Sequence, residues 1–407
     1  MHEEKLMLEM VDAVPQWYGC PCGPHLHELT VNGIALRFAT HRALSEPMAT
    51  IHGYVQGHLE RWHRQLPAIP TTLSFERLRR RVVLRWLAAH DPDVEWERLF
   101  AWADEIALRT HENENVVVNV LITAGEGQDL ITESSLQTGL DLLARGGRTY
   151  LQLDKHLRFL DIEEIRWETV RDTEFKFHPE FLHPFVSLLG ERECSFHITQ
   201  AGDVVVLGQE GLLAARRKGR WFIYDRTSLR DAYTDIMKTV MADDRTGHRM
   251  SANLLEVCLD LSYDRHGALL VYDPRHTVLE HIANPTSIIG GPEPHPGGLH
   301  AMLAPRVAGI PLAASSRPDR KKRVFAELAG LDGATVFDDR SVLAFGAIIS
   351  THPLTGDHFG ARTTAAYSAY RWGGVPIKIS ADGEIAVLFS SGDAATGDVR
   401  DAALAFL

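Results

Sequence analysis

The sequence predicts an α/β protein: a C-terminal mixed β-sheet flanked by helices, preceded by an α+β region. After about residue 236, segments with helical spacing of apolar residues alternate with short β-branched runs, as in a sheet covered by helices. Before that point helices and strands are mixed without a repeated unit. We therefore expect two domains, residues 1–235 and 236–407, with the boundary near a helical stretch that starts around Ser228.

The composition is that of an ordinary globular protein, with 407 residues of which 45% are hydrophobic and 24% are charged. No stretch approaches the ~18 uninterrupted apolar residues of a transmembrane helix. The N-terminal sequence MHEEKLMLEMVDA lacks the order of a secretory signal, and the four cysteines do not form a disulfide framework. We expect a cytoplasmic protein with no membrane partner.

The net charge of −12 argues against general nucleic-acid binding, which needs cations to neutralise phosphates. An arginine-rich stretch, RLRRRVVLR at 77–85, is best explained as a solvated helix face balanced by the acidic stretch after it. No nucleic-acid partner is therefore expected. Nucleotide binding stays open, because a metal ion and a few placed cations can meet the phosphates.

The first 235 residues contain both helices and strands. Amphipathic spacing predicts the helices, and β-branched runs predict the strands. The predicted helices cover 73–90, 96–110 and 133–147, and the predicted strands cover 116–123 and 149–153. A three-strand meander is expected at 202–225, with turns at 209–211 and 217–219. These elements define an α+β region, which we interpret as a regulatory domain.

Two candidate sites in this region have weak signals. Four possible soft-metal ligands lie close together in CPCGPHLH, namely Cys20, Cys22, His25 and His27. Their spacing fits no familiar zinc module, so a packed loop is favoured over a metal site. The segment GEGQDL at 125–130 follows a strand and precedes a predicted helix, like the start of a dinucleotide fingerprint. Leu130 occupies its third glycine position, however, and no phosphate-binding lysine follows.

The second region gives a clearer order of elements. A helix at 251–267, with Ser251 as its N-cap and Gly267 as its end, leads into a buried strand. After a Pro/Gly-rich loop come a helix ending at Leu331, then a strand, and a turn at Asp339-Arg340. The remaining elements are a strand at 342–349, a helix at 356–374, and two strands at 375–380 and 384–391 that are joined at Asp382-Gly383. This pattern predicts a mixed sheet whose glycine-bearing strand ends face one region.

Asp332-Gly333 places a carboxylate and a flexible glycine where a buried strand begins. Four segments around it, RHGALLVYD (265–273), LDGATVF (331–337), FGAIIS (345–350) and GARTTAA (360–366), occur in an order that resembles the diadenylate cyclase domain. This is the catalytic domain of the DNA-integrity scanning protein DisA and of the cyclases that make cyclic di-AMP. The resemblance covers about residues 240–392. Residues 1–235 do not resemble the helical DNA-binding region of DisA and are similar to the sensor domains fused to such cyclases.

The resemblance implies that two ATP are condensed into 3′-5′ cyclic di-AMP and pyrophosphate with the help of Mn²⁺ or Mg²⁺. It implies metal binding and hydroxyl activation for Asp332, phosphate binding for Arg362, and a second metal ligand in Asp382. The implied nucleotide-binding residues are Gly267, Ala268, Leu269, Gly333, Ala334, Gly346, Ala347, Gly360, Arg362, Thr363 and Thr364. Physical chemistry is consistent with these roles, because phosphoryl transfer depends on positioning and charge neutralisation. An arginine fork and unpaired helix amides both suit phosphate oxygens.

The phosphate motif departs from the family pattern. The family has Gly-Thr-Arg-His-Arg, whereas this chain has Gly360-Ala361-Arg362-Thr363-Thr364, so one cation of the pair is lost. Losing it costs about 1.5–3 kcal/mol, the scale of a charged hydrogen bond. Three hypotheses follow: an active cyclase, a catalytically silent nucleotide-binding sensor, and an interaction protein with a vestigial pocket. The retained Asp332 favours the first, and the threonine pair favours the second.

The chemistry also predicts a homo-oligomer. Each domain of this kind holds one ATP, yet the product joins two, so two copies must meet with their Asp332 sides opposed. Such a face is isologous, with the same patch on both subunits. We also expect the first region to bind a ligand, which the sequence does not identify.

Overall fold

The computed structural model describes residues 25–31, 34–40, 46–65, 72–106, 110–111, 114–130, 149–165, 177–241, 245–290, 320–355, 360–392 and 399–406. The chain forms two compact units, Met1–Arg230 and Asp231–Leu407. The predicted helix at 133–147 and the cysteines Cys20 and Cys22 lie outside the described residues. None of the described helices is long and apolar enough to cross a bilayer.

The first unit is built on an eight-stranded mixed sheet. Its described elements are β1 (His25–Val31), β2 (Ile34–Thr40), α1 (Glu46–Gln65), α2 (Thr72–His90), α3 (Trp96–Ile106), β3 (Thr110–His111), β4 (Glu114–Asn115), β5 (Val118–Thr123), β6 (Asp129–Leu130), β7 (Thr149–Asp154), β8 (Arg158–Glu164), α4 (His183–Leu188), β9 (Cys194–Ile198), β10 (Val204–Gly208), β11 (Gly211–Arg217) and β12 (Arg220–Ile223). The strand order is β12-β11-β10-β9-β5-β7-β8-β6, and the β5–β7 pair is parallel. The predicted three-strand meander is confirmed as β10, β11 and β12, paired antiparallel in succession.

Helices α2 and α3 pack on this sheet through aromatic side chains. The ring of Phe100 stacks on that of Trp221 with the ring centroids 4.1 Å apart. Trp86 donates a hydrogen bond from its indole nitrogen to the carbonyl oxygen of Leu213 at 2.9 Å. Both contacts join a predicted amphipathic helix to the predicted meander, and burying large aromatic surfaces stabilises the unit. The helix predicted at 96–110 is α3, which is shorter and ends at Ile106. Residues 129–130, at the end of the GEGQDL segment, form the short strand β6.

The second unit is built on a six-stranded mixed sheet in the order β15-β14-β13-β16-β17-β18. Helix α5 (Arg226–Val240) begins just before it, and the further elements are α6 (Arg245–Tyr263), β13 (Ala268–Tyr272), α7 (Arg320–Ala329), β14 (Ala334–Phe337), β15 (Val342–Ala347), α8 (Ala361–Arg371), β16 (Val375–Ile379), β17 (Ile385–Gly392) and β18 (Val399–Phe406). The β13–β14 pair is parallel, and the other neighbours are antiparallel. A mixed sheet flanked by helices is therefore confirmed.

Alternating side chains of the central strands pack on helices on both faces of the sheet. Leu269 and Val271 belong to one buried cluster with Ala366 and Ala369 of α8. On the other face, the ring of Phe337 meets that of Phe325 of α7 edge-on, with centroids 5.5 Å apart. Because both faces are covered, all five residues of β13 are buried. This explains why the strand is a continuous apolar run in the sequence.

Helix α6 starts earlier than predicted. It begins at Arg245, so Ser251 is an interior residue of the helix and not its N-cap. The physical reason is that the buried face continues upstream of Ser251, where Met250 is 1% exposed and packs with the same side of the helix as Leu254. The predicted end is close, since the helix stops at Tyr263 and the chain enters β13 after Gly267.

Candidate functional site

The residues that the sequence singled out lie at one edge of the six-stranded sheet, namely the edge formed by the ends of its strands. The parallel strands β13 and β14 both start at this edge, with Leu269 opposite Ala334. Strand β15 runs the other way and ends there, with Ala347 opposite Ala334. Strand β16 also ends there, with Ile379 opposite Ala268. The segments that carry Asp332 and Asp382 therefore meet at a common edge, although they are distant in sequence.

The Asp332-Gly333 turn packs closely against the end of β15. Gly333 has a φ of +102° and Gly346 a φ of +62°, a left-handed conformation that side chains other than hydrogen rarely adopt. A Cβ placed on Gly333 would lie 2.9 Å from the amide nitrogen of Ala347. Both conformation and space therefore require glycine at position 333. The expectation that this glycine allows close backbone approach is consistent with the geometry, although its partner here is another strand.

The carboxylate of Asp332 lies on the surface of this edge. Its residue is exposed, and its Oδ1 accepts a hydrogen bond from the amide of Gly333 at 3.1 Å. Within the part of the chain that the structure describes, no Lys, Arg or His side chain forms an ion pair with it. An exposed carboxylate of this kind is a suitable ligand for a hard cation such as Mg²⁺, which is commonly held by one or two protein carboxylates together with substrate phosphates.

Arg362 lies at the same edge, in the first turn of α8. The helix follows Gly360, whose backbone is extended with φ −61° and ψ 156°, and no side chain caps the N-terminus. Gly360, and neither Thr363 nor Thr364, occupies the N-cap position of this helix. The guanidinium of Arg362 lies against Gly267, because a Cβ placed on that glycine would lie 2.9 Å from the Cζ of Arg362. A cation and the amides of a helix N-terminus thus stand beside the start of β13.

Asp382 lies on the turn between β16 and β17, and α6 holds this turn in place. Arg265, which follows α6, donates a hydrogen bond from Nη1 to the backbone oxygen of Asp382 at 3.0 Å. Ser262 donates its hydroxyl to the backbone oxygen of Gly383. The sequence reasoning did not assign roles to Arg265 or Ser262. The positive φ of Arg265, +59°, is a backbone feature that no sequence pattern indicated.

The structure offers few protein ligands for the metal site expected at Asp332 and Asp382. Among the described residues, no group of three or more His, Cys, Asp or Glu side chains is placed to hold a metal ion. Asp332 and Asp382 are both exposed at the same edge and offer two carboxylates. A cation there would need further oxygen ligands, which nucleotide phosphates supply. Of the four candidate soft-metal ligands near the N-terminus, for which we favoured a packed loop, the structure describes His25 and His27, and the loop prediction is wrong for these two because both lie in β1, which pairs with β2.

A buried polar network in the first unit was not found by sequence reasoning. The ring of His197 has Nδ1 2.9 Å from the Oδ1 of Asn119 and Nε2 2.8 Å from the hydroxyl of Ser195. Burial lowers the pKa of His197 to about 3, so the ring is neutral at physiological pH. Hydrogen bonds on both ring nitrogens satisfy a polar group in the interior of the sheet. This network supports the fold of the first unit and identifies no ligand for it.

No family model and no curated protein matches this chain. Among solved structures, it is similar to a double cysteine mutant of DacA from Staphylococcus aureus, with 18% identity and a TM-score of 0.22 over 39% of this chain and 89% of that chain. A hypothetical membrane spanning protein from Bacillus cereus matches with 15% identity and a TM-score of 0.22, over 43% of this chain and 89% of that one. At such TM-scores we base no functional statement on either match.

Proposed function

We propose that residues 236–407 form a nucleotide-binding domain that condenses two ATP into 3′-5′ cyclic di-AMP and two pyrophosphates. The observation that carries the proposal is that Asp332 precedes β14 and the guanidinium of Arg362 lies against Gly267, which precedes the neighbouring parallel strand β13. An anionic group that suits a metal ion and a cation that suits phosphates are the two charges that phosphoryl transfer requires. The order of the four sequence segments that resemble the diadenylate cyclase domain supports the same reading.

The nucleotide is expected to lie along the starts of β13 and β14. Ala268, Leu269 and Ala334 are small or apolar residues that are buried where these strands begin. We expect the adenine ring to bind against this apolar end of the two strands. Gly333 and Gly346 allow the backbones of β14 and β15 to approach each other closely at this end of the sheet. Close approach of another backbone is one role of glycine in strands.

The phosphates are expected at the N-terminus of α8. Arg362 can donate two parallel hydrogen bonds to phosphate oxygens, and the first amides of the helix add donors. The contact between Arg362 and Gly267 directs the guanidinium toward the start of β13, where the nucleotide is expected. Thr363 and Thr364 follow within the first turn of the helix and supply hydroxyl groups rather than a second cation.

Asp332 is expected to hold Mn²⁺ or Mg²⁺, with Asp382 as a second carboxylate ligand. The ion, when bound, neutralises phosphate charge and lowers the pKa of a coordinated hydroxyl. In the reaction, the 3′-hydroxyl of one ATP gives up its proton and bonds to the α-phosphorus of the other, while the bond from that phosphorus to pyrophosphate breaks. The same exchange in the opposite direction closes the ring. Two copies of the domain are required, because each holds one ATP.

The alternative is a nucleotide-binding sensor with weak activity or none. The observation that favours it is the pair Thr363 and Thr364, which leaves Arg362 as the motif's one cation. The double variant Thr363→His with Thr364→Arg distinguishes an active cyclase from a nucleotide-binding sensor. Turnover should rise if the missing cation limits an active enzyme. No gain in turnover, with ATP binding intact, would favour the sensor.

The primary test is product formation by the purified full-length chain with ATP and Mn²⁺ or Mg²⁺, followed by mass spectrometry for cyclic di-AMP. Asp332→Asn should abolish the product while leaving the fold and much of the ATP binding intact, because it removes charge and keeps shape. Asp339→Asn is the matched control, since Asp339 is an exposed aspartate in the β14–β15 turn at the opposite edge. Wild-type rates for Asp332→Asn, or absence of the product from the wild-type protein, would contradict the proposal.

We further propose that residues 1–235 regulate this reaction in response to a ligand. This region has a sheet and a buried core of its own, which supports a separate role for it. The test compares the rate of product formation by the full-length chain before and after addition of candidate small molecules, with an Asp332→Asn chain as the background.

A further inference from the structure

The side chain of Asn284 bridges two backbone groups at the end of β15. Its Nδ2 donates a hydrogen bond to the carbonyl oxygen of Gly346 at 3.0 Å. Its Oδ1 accepts a hydrogen bond from the amide of Ile348 at 2.7 Å. One side-chain amide thus satisfies a carbonyl and an amide that flank Ala347, as a neighbouring strand would do with its own backbone.

This bridge continues the hydrogen bonds along β15, an outermost strand of the sheet, at a point where backbone pairing stops. The amide of Ala283 donates to the carbonyl oxygen of Ile348 at 2.7 Å, and the amide of Ile289 donates to that of Leu343 at 2.8 Å. The segment between them therefore follows the outer side of β15. Pro285 has no amide hydrogen and cannot continue the pairing. The side chain of Asn284 takes over at that point, which makes it a replacement for backbone hydrogen bonds.

The bridged backbone is the part that packs against Asp332. Gly346 adopts a φ of +62°, and a Cβ placed on it would lie 3.5 Å from the carbonyl oxygen of Asp332. A Cβ placed on Gly333 would in turn lie 2.9 Å from the Cα of Gly346. The Asp332-Gly333 turn thus packs directly against the backbone of Gly346. Gly346 therefore lies next to the backbone from which the Asp332 side chain extends.

We propose that Asn284 is a positioning residue for Asp332: by hydrogen bonding on both sides of Ala347, it fixes the backbone of Gly346 and thereby orients the Asp332 carboxylate toward its metal ion. The inference rests on the proposed function of Asp332 as a metal ligand. Residues that orient a ligand without touching the metal commonly contribute about 10- to 100-fold to metal affinity or activity. Thr286 lies two residues further along the same segment, and among the described residues its side chain forms no hydrogen bond with Asn284 or β15, which makes it a matched control.

The test is a double-mutant cycle on Mn²⁺ affinity, measured by electron paramagnetic resonance in the full-length chain with α,β-methylene-ATP present. Asn284→Ala should weaken Mn²⁺ binding about 10-fold or more in the wild-type background. In the Asp332→Asn background the same substitution should change the affinity less than about 2-fold, because the ligand that it orients is already lost. Thr286→Ala should stay close to wild type.

Asn284→Asp keeps the acceptor for Ile348 and removes the donor to Gly346, and it stands in if Asn284→Ala does not fold. Unchanged Mn²⁺ affinity in the folded variant, or equal weakening with and without the Asp332 carboxylate, would overturn the inference and leave Asn284 a purely structural residue. Wild-type protein that binds no Mn²⁺ with the analogue would also overturn it. If the cycle shows coupling but no variant makes cyclic di-AMP, the cyclase proposal fails while the positioning role stands.

Discussion

The guanidinium of Arg362 lies directly against Gly267, so that a side chain of even one carbon at position 267 would collide with its Cζ at 2.9 Å. The two residues come from the first turn of α8 and from the segment that leads into β13. Their contact brings the helix N-terminus and the start of the central strand into one place. In the proposed site, the absence of a side chain at position 267 therefore leaves room for the cation in its present position.

Gly267→Ala should weaken ATP binding while the chain stays folded. The added methyl group forces the Arg362 side chain to move, and a displaced charged hydrogen bond costs about 1.5–3 kcal/mol, or roughly 10- to 100-fold in affinity. Isothermal titration calorimetry with ATP and thermal unfolding of the same samples measure the two quantities. Gly53→Ala is the matched control, because a Cβ at Gly53 meets nothing within 4 Å and Gly53 lies in α1 of the first unit. Equal affinity of the two variants would contradict the role assigned to this contact.

Arg362→Ala should weaken the binding of ATP more than that of AMP or adenosine. The proposed partners of the guanidinium are the distal phosphates, which AMP and adenosine lack. The expected loss for ATP is about 10- to 100-fold, with a change of less than about 3-fold for adenosine. Calorimetric titration of all three ligands into both proteins checks the difference. Arg362→Lys should recover part of the ATP affinity. An equal loss for all three ligands would instead indicate a structural arginine.

Local patterns predicted most elements of the second unit. The run ALLVY and the run ATVF contain apolar and β-branched residues on both faces, and both are buried strands because helices cover the sheet on both sides. Strand β18, VRDAALAF, was not predicted. Its alanines have low strand propensity, and it is a strand because it pairs antiparallel with β17 along its full length. Tertiary pairing here outweighs local preference.

The candidate site could be predicted only in its separate pieces. Asp332, Gly333 and Arg362 were found because each lies in a short segment with a recognisable order. Asn284 was missed because its partner Gly346 is 62 residues away and no local spacing indicates the bond. Arg265 was missed for the same reason, since Asp382 is 117 residues away. Contacts of this range arise from the register of the sheet, which the sequence alone does not fix.

The turn between β14 and β15 should make the protein more stable at neutral than at acid pH through Asp338. Burial by itself would raise the pKa of Asp338, but hydrogen bonds from His276 and from the amides of Arg340 and Ser341 outweigh it and lower the pKa below its ordinary value. A group with a lowered folded-state pKa stabilises the fold above its unfolded-state pKa, about 4. That contribution is lost as the pH falls through the folded-state value.

Asp338→Asn should therefore reduce the free energy of unfolding at pH 7 and have a smaller effect near pH 2. Urea unfolding of the wild-type and variant chains at both pH values, followed by circular dichroism, gives the two differences. Arg340→Ala changes a neighbouring exposed side chain and keeps the backbone amide, so it serves as the control. A stability loss of the same size at both pH values would show that the carboxylate charge is not the cause.

Product formation should depend on the concentration of the enzyme, because the proposed reaction needs two nucleotide sites facing each other. In this proposal the shared face is isologous, polar because it includes exposed carboxylates, and bridged by nucleotide, so it need form only transiently. If association is weak, specific activity rises with enzyme concentration and reaches a plateau when all chains are paired. Analytical ultracentrifugation with metal and α,β-methylene-ATP over the same concentration range should show the matching dimer population.

Mixing experiments make this prediction sharper. Asp332→Asn chains added to wild-type chains should lower activity more than dilution with buffer, because each mixed pair has one inactive half and cannot close the ring. The same amount of Arg340→Ala chains, which change the opposite edge of the sheet, should not lower it. A chain that stays monomeric with metal and nucleotide present, yet makes cyclic di-AMP at a constant specific rate, would show that a single copy suffices and that the face-to-face mechanism is wrong.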